Sequence, residues 1–167
     1  KEVARAAFQP SQLPPGVEPG LYETGTFSPR QDTWPNGTHV CGVEIDPDTG
    51  AVTLDRYVLV DDVGTVINPL TLKGQIHGGV GQGVGQALME QVLYDPESGQ
   101  LLTGTFMDYA MPRADTFCDI QIGSNPVRTA LNPMGAKGAG EAGTVGALPV
   151  VINAVVDALA PLGVRDL

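Results

Sequence analysis

Basic residues, histidines and cysteines are scarce in this chain of 167 residues. Nine Lys and Arg stand against 19 Asp and Glu, which gives a net charge of −10. Nucleic-acid backbones and anionic membrane surfaces are bound through basic patches, so this balance argues against both kinds of partner. We also see no signal peptide or transmembrane run. We therefore expect no nucleic-acid partner and no membrane insertion.

The few cysteines and histidines do not form a metal-binding pattern. Cys41 and Cys118 lie far apart, and neither belongs to a CxxC motif. His39 and His77 have no partner at ligand spacing. We therefore predict no metal held directly by protein side chains, and two buried thiols in a reduced, cytoplasmic compartment.

The composition supports a globular core but not along the whole chain. Hydrophobic residues make up 42% of the sequence, enough for a packed domain. Residues 9–37 hold six prolines and four glycines, which makes a long regular element unfavourable there. We therefore divide the chain into an extended Pro/Gly-rich segment, 1–37, and a domain part, 38–167.

Alternating apolar and polar residues indicate strands. The patterns predict strands over 38–46 and 51–60, joined by a turn as an antiparallel hairpin. A second hairpin is predicted within 91–112, and a further strand over 119–123.

Two helices are predicted to pack on these strands. Asn68 followed by Pro69 is typical of a helix start, and the apolar spacing extends to about residue 91. Pro149 is predicted to open a second helix over 149–160. The fold class is therefore α+β, with antiparallel hairpins of a mixed sheet packed by two main helices.

The first predicted helix contains an unusual number of glycines. These are Gly74, Gly78, Gly79, Gly81, Gly83 and Gly85. Each costs about 1 kcal/mol relative to alanine in a helix interior, and the usual reason for such a cost is the close approach of another backbone or of a bulky ligand. Gln75, Gln82 and Gln86 lie among them. Their amides suit either recognition of a heterocycle or an ordinary polar helix face.

Glu141 lies in the glycine- and alanine-rich run "MGAKGAGEAGTVGALP", whose only other charge is Lys137. Small neighbours leave room for a large ligand, and poor hydration disfavours a charged carboxylate, as in many general bases. The alternative is a loop or capping glutamate that faces water. Lys137 could contact a phosphate, pair with Glu141, or be an exposed loop lysine.

Four stretches in order carry a family resemblance: "PNGTHVCGVEIDPDTGAVTLDRYVLVDDVGTVINP", "GQIHGGVGQGVGQALMEQVLYD", "GTFMDYAMPRAD" and "NPMGAKGAGEAGTVGALPVVINAVVDAL". Together they cover roughly residues 35 to 160. The chain resembles the C-terminal part of the molybdopterin-binding large subunit of molybdenum hydroxylases, the family of xanthine dehydrogenase, aldehyde oxidase and aerobic carbon monoxide dehydrogenase. It looks most like the carbon-monoxide-dehydrogenase-type large subunits.

This resemblance implies a cofactor and site residues. The family's molybdenum is held by the dithiolene of a molybdopterin, in bacteria often the cytosine dinucleotide form, with iron–sulfur clusters and FAD on other domains or subunits. The family's catalytic base maps onto Glu141, and its pterin-contacting glutamine maps onto Gln75. Lys137, Gly138, Ala139 and Gly140 would line the cofactor.

The resemblance also implies an activity and partners. The reaction would be base-assisted hydroxylation of an aldehyde or N-heterocycle, or oxidation of carbon monoxide, with oxygen derived from water. The partners would be the remainder of the large subunit, the iron–sulfur and flavin subunits, and a small-molecule substrate. Because the family subunit is several times longer, we expect this chain alone to be inactive. A non-catalytic scaffold or assembly module, a piece of a split subunit and an unrelated nucleotide-binding domain are the alternatives.

Overall fold

The computed structural model describes all residues, 1–167, as two compact units, 1–30 and 31–167. The first unit contains a short helix, α1 (Glu2–Ala7), followed by a 3-10 turn at Pro10–Gln12. The sequence pattern predicts only an extended segment here. The helix forms because alanine is a strong helix former, and Glu2 and Arg5 complement the helix dipole at its two ends.

The second unit is built on the predicted hairpin, which is confirmed. Strand β1 (Asn36–Ile45) pairs antiparallel with β2 (Val52–Asp62), and the register shifts at a bulge between Gly42 and Val43. Along β2, buried and more exposed residues alternate, as expected for a strand with one face covered.

A third strand makes the sheet mixed, as predicted. Strand β3 (Ile120–Ser124) pairs parallel with β2, with Ile120 opposite Tyr57, and the strand order is β1-β2-β3. Parallel neighbours need a long crossover connection, and here that connection contains the first large helix.

The second predicted hairpin forms only in part. Tyr94 and Leu101 make an isolated antiparallel bridge, and Asp95 accepts hydrogen bonds from two backbone amides of the turn. No strand extends from this bridge. A two-stranded ribbon without a third strand or a covering face is marginal, so the chain keeps the turn but not the ladder.

The first predicted helix is confirmed as α2 (Pro69–Leu88). The side chain of Asn68 accepts hydrogen bonds from the amides of Leu70 and Thr71, at 3.0 and 3.2 Å, and so caps the helix as predicted.

The second helix, α3, spans Ala142–Leu159, so our prediction that Pro149 opens it was wrong. Pro149 lies inside the helix, where it cannot donate to the carbonyl of Val145. Val145 is 70% exposed, so water can satisfy that carbonyl. The first two turns form despite two glycines because they pack closely on α2.

The inner glycines of α2 explain that packing. A Cβ added at Gly83 would lie 2.6 Å from the Cβ of Ala147, and one at Gly79 would lie 2.9 Å from the amide nitrogen of Thr144. Neither position admits a side chain, so the two helices approach backbone to backbone. The core below them consists of buried residues from the sheet and both helices: Leu54, Tyr57, Leu59, Ile76, Val80, Val84, Ile120, Ala147 and Val151.

Helix α3 and its extension to Leu162 are long and apolar enough to cross a membrane, judged by length and composition alone. One such helix is weak evidence, because core helices of soluble proteins pass the same test. Its buried residues, Gly143, Ala147, Val151 and Val155, lie at helical spacing. The absence of membrane insertion therefore stays a prediction.

Candidate functional site

Glu141 immediately precedes α3, at its N-cap position. Its side chain makes no capping hydrogen bond and is exposed, while its carbonyl accepts the amide of Val145 at 3.0 Å. The first-turn amides of a helix favour a negative charge nearby. The poor hydration expected from the sequence is therefore not present in this chain, and the carboxylate is free to meet a ligand.

Gln75 joins α2 to the residue just before Glu141. Its Nε2 donates to the carbonyl of Gly140 at 2.7 Å, across 65 positions of sequence. Three residues that the sequence analysis selected, Gln75, Gly140 and Glu141, thus lie together. One turn of α3 further on, the hydroxyl of Thr144 donates to the side chain of Gln82 at 3.4 Å.

Lys137 is held by a partner that we did not predict. Its Nζ lies 2.6 Å from Oδ2 of Asp62, and both side chains are largely buried, 12% and 13% exposed. It is not paired with Glu141. Sequence analysis missed this pair because its members are 75 residues apart.

Asp62 gathers several donors at the end of β2. Its Oδ1 accepts the amides of Gly64 and Val127 at 2.8 and 2.9 Å. The Lys137 hydrogen bond, followed by those two amides, holds the pKa of the Asp62 carboxyl far below its usual range. The Asp62 carboxyl therefore stays ionised at neutral pH.

Backbone hydrogen bonds reinforce the Lys137–Asp62 ion pair, which we call the anchor of the loop that leads into α3. The amide of Lys137 donates to the carbonyl of Val63 at 2.9 Å, and the amide of Thr65 donates to the carbonyl of Gly135 at 2.9 Å. Gly64 has φ +64°, and a Cβ there would overlap the carbonyl oxygen of Gly135. The anchor thus requires glycine at position 64.

Glycines surrounded by open space lie at the Glu141 end of the loop that leads into α3 and on the outer face of α2. Cβ atoms added at Gly74, Gly78 and Gly140 would meet nothing within 4 Å. Four of the six glycines of α2 therefore fall into two sets. The inner set, Gly79 and Gly83, admits α3, and the outer set, Gly74 and Gly78, leaves backbone open next to Gln75.

A cavity of about 430 Å³ opens beside Glu141. Gly138, Gly140 and Glu141 border it, whereas Gln75, Lys137 and Ala139 do not. Its other walls include Trp34, before β1, and two residues of the sheet, His39 and Asp61.

His39 and Asp61 belong to a buried network that sequence analysis did not identify. His39 Nδ1 lies 2.7 Å from the hydroxyl of Tyr57, and His39 Nε2 lies 3.6 Å from Oδ1 of Asp61. Burial, followed by the nearby Cys41 and Asp61, raises the pKa of Tyr57 strongly, so its hydroxyl stays protonated. The only signal in the sequence was the alternation of side chains between the two faces of a strand. This alternation places position 39 on the same face of β1 as Cys41, and position 61 on the same face of β2 as Tyr57.

Residues 1–167 contain no group of three or more His, Cys, Asp or Glu side chains that could hold a metal ion. The site instead offers exposed backbone at its glycines, the side-chain amide of Gln75 and the unpaired carboxylate of Glu141. These features suit a large ligand that fits against the glycines, receives hydrogen bonds from the protein and has a proton acceptor at its edge.

Comparison with known proteins gives a consistent set of relatives. A family model for the molybdopterin cofactor-binding domain matches residues 1–118. The nicotine 6-hydroxylase large subunit of Paenarthrobacter nicotinovorans is 40% identical over 163 residues, which is 97% of this chain and 20% of that protein.

Two solved structures share the fold. Reconstituted CO dehydrogenase from Oligotropha carboxidovorans superposes with a TM-score of 0.87 at 36% identity, over 99% of this chain and 20% of that one. Quinoline 2-oxidoreductase from Pseudomonas putida 86 superposes with a TM-score of 0.84 at 42% identity, over 95% of this chain and 20% of that one. The chain spans about a fifth of the length of each of these proteins.

Proposed function

This chain belongs to the molybdopterin cofactor-binding domain family, and we propose that it forms the part of a molybdenum hydroxylase large subunit that carries the catalytic base, Glu141. The family resemblance read from the sequence is confirmed by this match. The observation that supports the role of Glu141 is its position. It is an exposed carboxylate without a hydrogen-bond partner at the open end of an otherwise anchored loop.

The residues present fit a molybdopterin. That cofactor brings its own sulfur ligands to the metal, so the protein needs to supply room and hydrogen bonds. The bare outer glycines of α2 supply the room. Gln75, with an amide oxygen left to accept, and the backbone of Gly138, Ala139 and Gly140 supply the polar contacts. Lys137 contributes through its anchor rather than through a free ammonium, because Asp62 occupies that group.

The protein residues then have defined tasks. When bound, the molybdenum cofactor accepts the two electrons that leave the substrate on hydroxylation. Gln75 fixes the carbonyl of Gly140, and this fixes the backbone on which Glu141 is carried. The carboxylate of Glu141 takes the proton from the water-derived hydroxyl that attacks the substrate carbon, as a general base.

Substrate and partners follow from the same proposal. The substrate would be an aldehyde, an N-heterocycle or carbon monoxide. Among the relatives, one is named a nicotine hydroxylase, one a CO dehydrogenase and one a quinoline oxidoreductase. The chain would work with the remainder of the large subunit and with iron–sulfur and flavin components, in the cytoplasm. The cytosine dinucleotide is the form of the pterin that we propose.

The test is Glu141→Gln in the complete molybdenum-loaded enzyme. We expect molybdenum and pterin contents near those of the wild type and turnover lower by about a hundredfold or more, since a general base contributes about 10²–10⁴-fold. Glu44→Gln is the matched control, because Glu44 is exposed on β1, away from the loop. Unchanged turnover in Glu141→Gln would remove Glu141 from this role. A loss of molybdenum would instead make it a structural residue of the cofactor site.

A further inference from the structure

We infer that His39 is a positioning residue for Glu141: held by the hydroxyl of Tyr57, its ring supports the second turn of α3 from the sheet and fixes the helix start that carries the carboxylate. This role rests on the proposed function, in which Glu141 is the base. It adds a support from β1 to the hydrogen bond that Gln75 provides from α2.

His39 lies between two polar side chains of β2. Its pairing partner across the hairpin is Leu59, so Tyr57 and Asp61 are its diagonal neighbours on the same face of the sheet. Its Nδ1 lies 2.7 Å from the hydroxyl of Tyr57, and its Nε2 lies 3.6 Å from Oδ1 of Asp61. The rings of His39 and Tyr57 meet edge to face, with centroids 5.8 Å apart. The imidazole is therefore held at both of its nitrogens.

The hydroxyl of Tyr57 determines which nitrogen of His39 carries the proton. When the hydroxyl donates to Nδ1, the neutral imidazole carries its proton on Nε2, which faces the carboxylate of Asp61. Tyr57 is 1% exposed and belongs to the hydrophobic core, so its hydroxyl is held in one place. Tyr57 thus fixes the orientation of the His39 ring.

Two glycines leave room for these side chains. A Cβ added at Gly146 would lie 2.5 Å from Nδ1 and Cε1 of His39, and one added at Gly37 would overlap Oδ1 of Asp61. Gly146 belongs to the second turn of α3. The imidazole therefore rests directly on the backbone of α3, with no side chain between them.

This contact lies next to the turn that begins at Glu141. The amide of Val145, the residue before Gly146, donates to the carbonyl of Glu141 at 3.0 Å. The carboxylate of Glu141 makes no capping hydrogen bond, so its position depends on the backbone that carries it. A shift of the His39 ring would therefore move the base.

The network is costly for stability, which indicates a task beyond packing. Oδ2 of Asp61 is buried without a hydrogen-bond partner, and an unpaired buried carboxylate oxygen is unfavourable. Apolar side chains of similar volume would fill the same space without that cost. A buried polar network instead favours one arrangement of its members, because a shift breaks its hydrogen bonds. The arrangement favoured here is the position of α3 on β1.

The test is Tyr57→Phe in the complete molybdenum-loaded enzyme, with kcat expressed per molybdenum. The variant keeps the buried ring and removes the hydrogen bond to His39. We expect kcat to fall about tenfold with KM within about twofold of wild type, because a displaced base weakens only the transition state. Tyr94→Phe is the control and should keep both constants, since Tyr94 is exposed. Unchanged kcat in Tyr57→Phe, or a rise in KM alone, would overturn the inference.

Variants of His39 identify the hydrogen bond that matters. His39→Leu removes both polar contacts and should lower kcat about a hundredfold. In His39→Asn the amide oxygen takes the place of Nδ1 and can accept from Tyr57, so kcat should be about tenfold higher than in His39→Leu. His39→Gln places its amide near the position of Nε2 and should recover less. Recovery in His39→Gln and not in His39→Asn would overturn the inference. If His39→Leu fails to fold, Tyr57→Phe decides.

Hydrogen exchange gives a measurement that does not depend on turnover. In Tyr57→Phe, the amides of residues 145–148 should exchange about tenfold faster, while those of residues 151–157, further along α3, should not change. Equal acceleration along the whole helix would mean a general loss of stability and would contradict a positioning role.

The two proposals can fail separately. If Glu141→Gln lowers kcat but Tyr57→Phe changes neither kcat nor the exchange of residues 145–148, the inference fails and the proposed function stands. If Glu141→Gln leaves kcat unchanged, the proposed function fails, and the inference that His39 positions a base falls with it.

Discussion

The loop that leads into α3 is held very differently at its two ends. At the Lys137 end, an ion pair to Asp62 and backbone bonds to Val63 and Thr65 fix the chain to the end of β2. At the Glu141 end, a hydrogen bond from Gln75 holds the preceding carbonyl to α2, and the carboxylate itself is free. Two charges four residues apart thus differ in kind: the paired one stabilises the loop, and the unpaired one is available for chemistry.

The largest effect should come from moving the free charge without removing it. Glu141→Asp shortens the side chain by one methylene and withdraws the carboxylate by roughly 1 Å. A misplacement of that size can cost about a hundredfold in turnover. Hydrogen exchange of residues 134–141 should not change, because the carboxylate makes no contact that holds the loop. Turnover within about threefold of wild type would mean that the carboxylate is not positioned for proton transfer.

Replacing a glycine by alanine should destabilise the loop at its Lys137 end and should leave it unchanged at its Glu141 end. Gly64→Ala places a Cβ against the carbonyl of Gly135 at a positive φ, which we expect to cost about 2 kcal/mol. Gly140→Ala adds a Cβ in open space and is the matched control. Hydrogen exchange of the Lys137 and Thr65 amides measures the difference: about thirtyfold faster in Gly64→Ala and unchanged in Gly140→Ala. Equal rates in the two variants would contradict the comparison.

Removing the hydrogen bond from Gln75 to Gly140 should give an intermediate effect. Gln75→Leu keeps the size of the side chain and loses its donor to Gly140. We expect turnover to fall about tenfold, in line with one hydrogen bond of about 1 kcal/mol and a less well-placed base. Gln86→Leu, on the same helix, is the control, since Gln86 is exposed and lies outside the cavity. If both variants behave alike, the bond from Gln75 does not position Glu141.

The smallest effect concerns pH. The pKa of Asp62 is lowered in the folded chain, so its contribution to stability is fully present above the unfolded value of about 3.9 and is lost as the pH falls towards the folded value. Protection of the Lys137 amide should therefore be constant from neutral pH to about 4 and decline only below it. Asp62→Asn should give weaker protection with no such decline. A decline that begins near neutral pH would point to a different group.

The sequence predicted the parts of this structure that depend on local pattern. The hairpin of β1 and β2 and the start of α2 at Asn68 follow from alternation and capping, which nearby residues determine. The start of α3 does not: residues 142–148 contain two glycines and the β-branched Thr144 and Val145, and close packing on Gly79 and Gly83 stabilises the helix there. Tertiary packing outweighed the proline signal.

The residues of the candidate site also differ in whether the sequence alone could identify them. Glu141 and Gln75 could be selected because their unusual neighbours, or a family resemblance, mark them. Asp62, His39 and Asp61 could not, because each is defined by a partner distant in sequence. The pairing of Lys137 with Asp62 spans 75 positions, and no single-sequence pattern encodes it.

Asp61 and Asp62 are adjacent on β2, yet one faces the cavity and the other the loop anchor, because successive strand residues point to opposite faces. A slip of one residue in the pairing with β1 would exchange them. It would place the anchoring carboxylate in the cavity and strip Lys137 of its partner at the same moment. The turn at residues 47–50 and the bulge at Gly42 and Val43 therefore determine, from the far end of the hairpin, which aspartate does which task. We expect insertions and deletions between residues 40 and 60 to be tolerated only in pairs that restore the register.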